Sequence, residues 1–326
     1  PNKKDFDTMR KLKVFFAVLI AATLLLGITY KGFLKSTELE RTEFLFDTVC
    51  SIKVYSKDAK DALVAAFDEA TQIHLLTNFF DQDSDVSKIN NAKSGEAVSV
   101  SPEILELLEL SERIHSASDG AFDITIAPVA SLWKFDIESP KPPSDEQITA
   151  ALRLVGRDSL ALDKSNSTVT KSFDETKIDL GGIAKGYAAD KVAEVLKSHG
   201  IDCAIIDFGG NIVAFGKNPK TDDGKWRIGL QSPFSPTGEF SKTVEISSGA
   251  VVTSGTYQRF FEYEGEKYHH IIDPKTGKPS TQSFDSVTVT AESAALADAL
   301  ATAAFVLGEE KGTALVGEFQ ATLEVL

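Results

Sequence analysis

The chain has 326 residues, 42% of them hydrophobic and 25% charged, a globular composition with room for one large or two ordinary domains. Its formal charge of −14 excludes the basic surface that nucleic-acid binding needs. A phosphate-bearing ligand would have to be met by a metal ion or by local backbone donors. Cys50 and Cys203 are too few for a disulfide scaffold; two unpaired buried thiols are expected, with a single bridge as the alternative in an oxidising compartment.

The chain opens with a basic segment, 1–13, whose "RKLK" precedes seventeen uncharged residues, Val14–Tyr30. At helical rise these span roughly 25 Å, the short end of a bilayer crossing. No Ala-x-Ala cleavage site follows, so residues 14–34 are expected as an uncleaved transmembrane signal anchor, with a cleaved signal peptide as the alternative. The flanking bases place the N-terminus in the cytoplasm and the remainder on the extracytoplasmic side of the cell membrane. Met9, the single methionine, is the expected start of translation.

A connector, 35–42, leads into residues 43–326, expected as the catalytic domain. "EFLFDTVCSIKVYS" alternates like a strand or hairpin arm. Asp58–Leu76 has helical spacing in Leu63, Val64, Phe67, Ala70 and Ile73. "DQDSDVSKINNAKSG" reads as a polar loop. "SPEILELLELSERIHSASDG" is a helix with Ser101 as N-cap, Pro102 at N1 and Glu103 in the first turn. "DITIAP" reads as strand-like, and "SPKPPSDEQI" as a loop into a short helix ending near Leu154. Strands are expected in "TVTKSF", "TKIDLGG", "CAIIDFGGNIVAFG", "KWRIGLQSP", "KTVEISSGAVVTSG", "YQRFFEYEGEKYHHIID" and "SVTVTAE". Helices are expected in "IAKGYAADKVAEVLKSHG" and "SAALADALATAAFVLGEEKG". The closing "FQATLEVL" reads as the start of a strand, from a chain that is either truncated or ends on a sheet edge. The pattern is mixed α/β with strands grouped in the C-terminal half, without a strict βαβ series.

Three stretches carry chemistry. In "KIDLGGIAKGYAADKV" paired glycines precede a helix whose free N–H groups suit phosphate, though neither the P-loop nor the dinucleotide fingerprint is complete. A tight strand-to-helix turn explains the same residues. On the alanine-rich "ADALATAAF" helix, Asp298 and Thr302 stand four apart on one face, a pairing of hard oxygen donors that suits Mg²⁺; a core-satisfying role for Thr302 is the alternative. In "YHHIIDPKTGKP", alternation sends His269 and His270 to opposite faces, and the Asp273-Pro274 bend with Gly277 fixes the strand end. A histidine held so near a phosphate site can serve as a general base.

Taken in order, "FDQDSDVSKIN", "DGAFDITIAPVASLWKF", "KIDLGGIAKGYAADKV", "DFGGNIVAFG", "WRIGLQSP", "VVTSGTYQRFFEYEGEKYHHIIDPKTGKP" and "SVTVTAESAALADALATAAFVLG" resemble the ApbE family of FAD:protein FMN transferases. The resemblance runs from about Glu43 onward. It implies a mixed α+β fold with mixed and antiparallel sheets flanked by helices, here preceded by the N-terminal membrane segment. It also implies Mg²⁺-dependent transfer of FMN from FAD to a Ser or Thr hydroxyl of a target protein, with release of AMP.

Carried onto this chain, the resemblance implies Mg²⁺ held by the Gly182 carbonyl, Asp298 and Thr302. An FAD site would be lined by Phe46, Phe80, Ala121, Phe122, Asp123, Asp179, Lys185, His270 and Ile271. His270 would be the catalytic base, with His269 as its outward neighbour. The chain departs from the family in reading Phe46-Asp47-Thr48 where Met-Gly-Thr is common. Gly182 stands where other members have Ala, Ser or Thr. Ala301 cannot supply the extra carboxylate that some members place beside the metal threonine. The implied partner is an acceptor flavoprotein, a membrane redox subunit or a secreted protein. Two readings compete with transfer: an FAD pyrophosphatase giving FMN and AMP, and a non-catalytic extracytoplasmic flavin-binding protein.

Overall fold

The computed structural model describes residues 38–135, 137–231 and 239–326. The chain divides into two units, Pro1–Glu38 and Leu39–Leu326; the description concerns the second and Glu38, with which its first strand begins. The expected basic segment and signal anchor lie outside the described residues, among which no helix is long and apolar enough to cross a membrane.

The core is a seven-stranded sheet in the order β1-β2-β6-β7-β10-β13-β14. Its strands are β1 (Glu38–Leu45), β2 (Thr48–Tyr55), β6 (Ala204–Phe208), β7 (Asn211–Phe215), β10 (Gly249–Gly255), β13 (Ser286–Ala291) and β14 (Thr322–Val325). Pairing from β2 to β14 is antiparallel throughout. Two-residue connections make β1–β2 and β6–β7 tight hairpins. Phe46 and Asp47 both take left-handed φ (52° and 55°), the requirement of the turn that matches strand twist. Gly209 and Gly210 do the same between β6 and β7.

Period-two alternation splits this sheet into two buried faces. Ile206, Phe208, Val213, Ala250, Val252, Val287 and Val289 face a helical layer. That layer contains α1 (Lys60–Thr77), α6 (Ala184–Ser198) and α7 (Ala294–Leu307). Ala214 and Val251 face the other way, onto Trp226, Ile228, Leu230 and Ile246 of the hairpin β8 (Trp226–Gln231) and β9 (Phe240–Ile246). The remaining helices are α2 (Asp85–Asn91), α3 (Pro102–Ala117), α4 (Ala127–Ala130), α5 (Asp145–Leu152) and α8 (Glu309–Glu318). A small sheet joins β3 (Val98–Ser99), β5 (Thr168–Lys171) and β4 (Leu160–Asp163), and β11 (Phe260–Tyr263) pairs with β12 (Glu266–His269).

The expected mixed α+β class with antiparallel sheets and flanking helices is what the chain forms. Ser101 caps α3 through Ile104 N–H, as its spacing predicts. Several local expectations are corrected. Strand β1 starts at Glu38, inside the presumed connector 35–42. The polar stretch 81–95 contains α2, capped by Ser84 and burying Val86, Ile89 and Asn90; with two aliphatic residues the sequence shows no helical period. "DITI" is a 3₁₀ turn capped by the Asp123 carboxylate. Thr176–Leu180 of "TKIDLGG" has no strand partner, and Gly181 and Gly182 lie in a turn. The last helical stretch is two helices, because Gly308 takes φ 82° between α7 and α8. The closing strand pairs with β13 as a sheet edge. Both cysteines are free, Cys50 buried and Cys203 only half-buried.

Helices α6 and α7 cross closely at Gly186, where an added Cβ would come within 2.2 Å of the Ala294 carbonyl oxygen. Asp190, one turn further along α6, caps α7 by accepting from Ser293 Oγ (2.7 Å) and from the Ala294 and Ala295 N–H groups (2.8 and 2.9 Å). Gly186→Ala is expected to force these helices apart at a cost of about 1–3 kcal/mol, read as a lower urea midpoint with an unchanged denaturant slope.

Candidate active site

Asp298 lies on α7 one turn past the crossing. Its side chain is only 4% exposed, and three groups face it. The Gly186 N–H donates at 3.1 Å. Asn211, at the start of β7, has its side-chain nitrogen 3.2 and 3.0 Å from the two carboxylate oxygens, in the amide orientation that the hydrogen bonding demands. The Lys185 ammonium stands 3.6 Å away and donates to the Gly181 carbonyl at 3.0 Å. Burial pushes the Asp298 carboxyl above the usual carboxylate range, and Lys185 and Gly186 N–H only partly offset that.

Thr302 follows one turn later on α7. A Cβ at Gly182 would lie 3.4 Å from Thr302 Oγ1 and 3.2 Å from the Phe122 ring. The Gly182 main chain, Thr302 and Phe122 are therefore in mutual reach, and a side chain at 182 would crowd the ring. Asp179 folds back to accept from Gly181 N–H at 2.8 Å, and its own N–H donates to the Ile124 carbonyl at 2.8 Å. Burial raises its carboxyl too, against Gly181 N–H and Lys185.

The histidine pair divides its work in a way the sequence did not show. His269 is buried, not outward. Its Nε2 meets the Ser280 carbonyl at 2.8 Å, its Nδ1 accepts from Ile271 N–H at 3.2 Å, and its ring stands edge-on to Phe305 of α7 at 5.6 Å. It thus ties the end of β12 to the helix that carries Asp298 and Thr302. His270 is half-exposed. Its Nδ1 donates to the Arg259 carbonyl at 3.1 Å, which leaves Nε2 as the unprotonated nitrogen. Burial lowers its pKa to about 4 against that hydrogen bond, with His269, Lys185 and Arg259 pushing the same way as burial. Lys185 acts electrostatically on Asp179, Asp298 and His270 alike. Behind them the Asp273–Pro279 turn closes with Gly277 N–H on the Asp273 carbonyl at 2.8 Å, and Trp133 Nε1 holds the Gly277 carbonyl at 3.0 Å.

The other expected FAD-lining residues are placed differently. Phe46 stacks on Phe208 at the β1–β2 turn, and its N–H donates to His74 Nδ1 at 3.2 Å. Phe80 is 72% exposed, with its ring edge-on to Phe79. Ala121 and Phe122 are buried beside Gly182. The Asp123 carboxylate is taken up by Thr125 N–H and Oγ1 (2.8 and 2.6 Å) and by His115 Nδ1 at 3.4 Å. Ile271 is 5% exposed, with its side chain in the main core. Asn211, Gly186 and Asp190 were missed as site-building residues. The first stood in plain view in "DFGGN", and the other two are a helical turn apart in "KGYAAD".

A family model described as the ApbE family matches residues 46–326. The chain belongs to the ApbE family. An FAD:protein FMN transferase of Treponema pallidum is 32% identical over 327 aligned positions, covering 95% of this chain and 90% of that protein. One from Vibrio cholerae is 36% identical over 236 positions, covering 72% and 70%. The crystal structure of the ApbE protein of Thermotoga maritima superposes with a TM-score of 0.81 at 33% identity, covering 89% of this chain and 94% of that one.

The donor set suits a hard cation. Asp298 offers a carboxylate, Thr302 a hydroxyl and Gly182 a carbonyl, and the Lys185 ammonium already occupies a cationic position beside them. Among the described residues no group of three or more His, Cys, Asp and Glu is placed to hold a metal. A Mg²⁺ ion here would complete its shell with phosphate oxygens and water, as Mg²⁺ ordinarily does. In the presence of FAD, Mg²⁺ at ~100 times its dissociation constant is expected to add about 2.7 kcal/mol of stability. Asp298→Asn keeps an acceptor for Gly186 and Asn211 but removes the charge, and is expected to lose most of that thermal shift. An unchanged shift would show that the cation is held elsewhere.

Proposed function

We propose that this protein is an FAD:protein FMN transferase that moves FMN from FAD to a Ser or Thr hydroxyl of an acceptor protein and releases AMP. The observation that carries the reading is an uncharged His270 with Nδ1 committed and Nε2 free, together with a buried Asp298 paired to Lys185, in a chain of this family.

The chemistry asks for positioning and charge neutralisation more than for covalent participation by the protein. The acceptor hydroxyl oxygen forms a bond to the phosphorus that carries the flavin half. The bond from that phosphorus to the bridging oxygen breaks, and AMP leaves with that oxygen. The hydroxyl proton passes to His270 Nε2, because the Nδ1 proton is committed to Arg259. Lys185 supplies fixed positive charge for the diphosphate. Mg²⁺, held by Asp298, Thr302 and the Gly182 carbonyl, would neutralise the diphosphate and polarise its phosphorus–oxygen bonds. Phe46, Phe80 and the Ala121–Asp123 turn are assigned to the flavin nucleotide. With the anchor at 14–34 the site would face the extracytoplasmic side, where the acceptor is a membrane redox subunit or a secreted flavoprotein.

The test is incubation of the purified protein with FAD, Mg²⁺ and candidate acceptor domains, followed by intact mass. An adduct heavier by FMN less one water is the expected product; free FMN and AMP without adduct would identify a pyrophosphatase, and bound but unconsumed FAD a binding protein. His270→Ala is expected to cut transfer by about 10²–10⁴-fold with FAD binding retained. Because burial holds the His270 pKa down near 4, the base is uncharged throughout the neutral range. Transfer is expected to stay level from pH 8 to 6 and to fall only as pH drops towards about 4. An acid limb centred near the ordinary histidine value would show that burial does not depress the His270 pKa, and retention of full transfer by His270→Ala would remove it from the role.

A further inference from the structure

Lys171 ends β5 with 1% of its surface exposed, and the proposed chemistry makes no use of it. Its ammonium is held by three main-chain carbonyls: Asn90 at 2.8 Å, Asp174 at 2.9 Å and Thr176 at 3.0 Å. Asn90, buried at the end of α2, uses both ends of its side-chain amide on a single residue. Oδ1 accepts from Ile178 N–H at 2.7 Å, and Nδ2 donates to the Ile178 carbonyl at 3.0 Å. Lysine and asparagine are coupled, since the carbonyl that Lys171 grips belongs to Asn90 itself.

Both act on Thr176–Leu180, the stretch without a strand partner that delivers Asp179, Gly181 and Gly182 to the site. Buried backbone polar groups must be paired, and a sheet neighbour would ordinarily do it. Here side chains do it one group at a time. Lys171 takes the Thr176 carbonyl, Asn90 takes both groups of Ile178, and the Ile124 carbonyl takes Asp179 N–H. Only three residues separate Ile178 from Gly182, so a shift at the clamp carries into the Gly182 main chain, which lies against Thr302.

We propose that Lys171 and Asn90 are positioning residues that hold segment 176–182 in the register that sets Asp179 and the Gly182 main chain against Asp298 and Thr302. The proposal rests on the transferase reading of that site. They touch neither substrate nor metal, and act through the backbone between them and the site.

Lys171→Met keeps the stem and removes the ammonium, stranding three carbonyls. In the full-length protein, amide exchange at Ile178 and Gly181 is expected to rise tenfold or more, while Val252 in the main sheet is unchanged. The Mg²⁺ concentration giving half the FAD-dependent rise in melting temperature should increase about tenfold, with kcat at saturating Mg²⁺ within threefold of wild type. Ammonium ions should restore exchange protection to Lys171→Ala, since the same three carbonyls can accept them. If Lys171→Met does not fold, Asn90→Asp decides the matter: it keeps the acceptor for Ile178 N–H and sets an oxygen against the Ile178 carbonyl, so the same signature is expected. A folded variant of either residue with wild-type exchange at 178 and 181 and wild-type Mg²⁺ dependence overturns the proposal. If the wild-type protein transfers no FMN, the functional reading fails, while exchange and the Mg²⁺ titration still judge the clamp.

Discussion

The burial of the Asp298 carboxylate is the constraint around which the catalytic half of the molecule is arranged. A charge removed from water costs several kcal/mol unless hydrogen bonds and counter-charge return most of it. Three separate elements meet that demand: α6 with the Gly186 N–H and Lys185, β7 with the Asn211 amide, and α7 itself, whose start is fixed by Asp190. None of these contacts forms unless α6 and α7 touch at backbone distance, which requires glycine at 186. The alanine-rich surface of α7 serves the same close approach. One carboxylate thereby couples the helical layer to the central sheet.

A second consequence of the fold is the split between neighbouring histidines. Strand alternation sends His269 inward, where both ring nitrogens are consumed by main-chain partners and the ring rests on Phe305. The same alternation leaves His270 at the surface of the site with one nitrogen fixed and the other open. His269 anchors β12 to α7, the helix that bears Asp298 and Thr302, and so ties the strand end that carries His270 to that helix. A turn of only a few residues, closed by Gly277 against α5 and Trp133, holds the strand end from the far side.

Segment 176–182 shows a different solution. It is the floor of the site, yet it has no ladder partner, and its polar groups are met by Asn90, Lys171 and Ile124. Elements that precede these residues in the chain, α2 and the small β3-β5-β4 sheet, are in this way built into the site.

Much of this was legible in the residues. The α3 cap, the helical period of α1, the Gly-Gly hairpin and the i, i+4 pairing of Asp298 with Thr302 depend on neighbours in sequence, and local sterics and hydrogen bonding decide them. The ordered series of motifs identified the family for the same reason, since each motif is a short stretch with its own backbone demand. Partners far apart in the chain were not legible. Asn211 reaches Asp298 across 87 positions and Asn90 reaches Ile178 across 88, and no local pattern records either. The α2 helix was missed because its buried face includes Asn90, a polar residue that counts against a helical period until its partner is known. "TKIDLGG" looked like a strand because Thr176, Ile178 and Leu180 alternate with polar residues ahead of a glycine turn, but a strand is defined by its neighbour, and here two side chains and the Ile124 carbonyl stand in that place. Which histidine faces the site was equally undetermined, because alternation fixes that the two differ and only the position of α7 fixes which one is buried. The sequence by itself determined most of the elements and the kinds of chemical group available. Tertiary packing decided which groups meet, because burial and counter-charge are properties of the assembled interior.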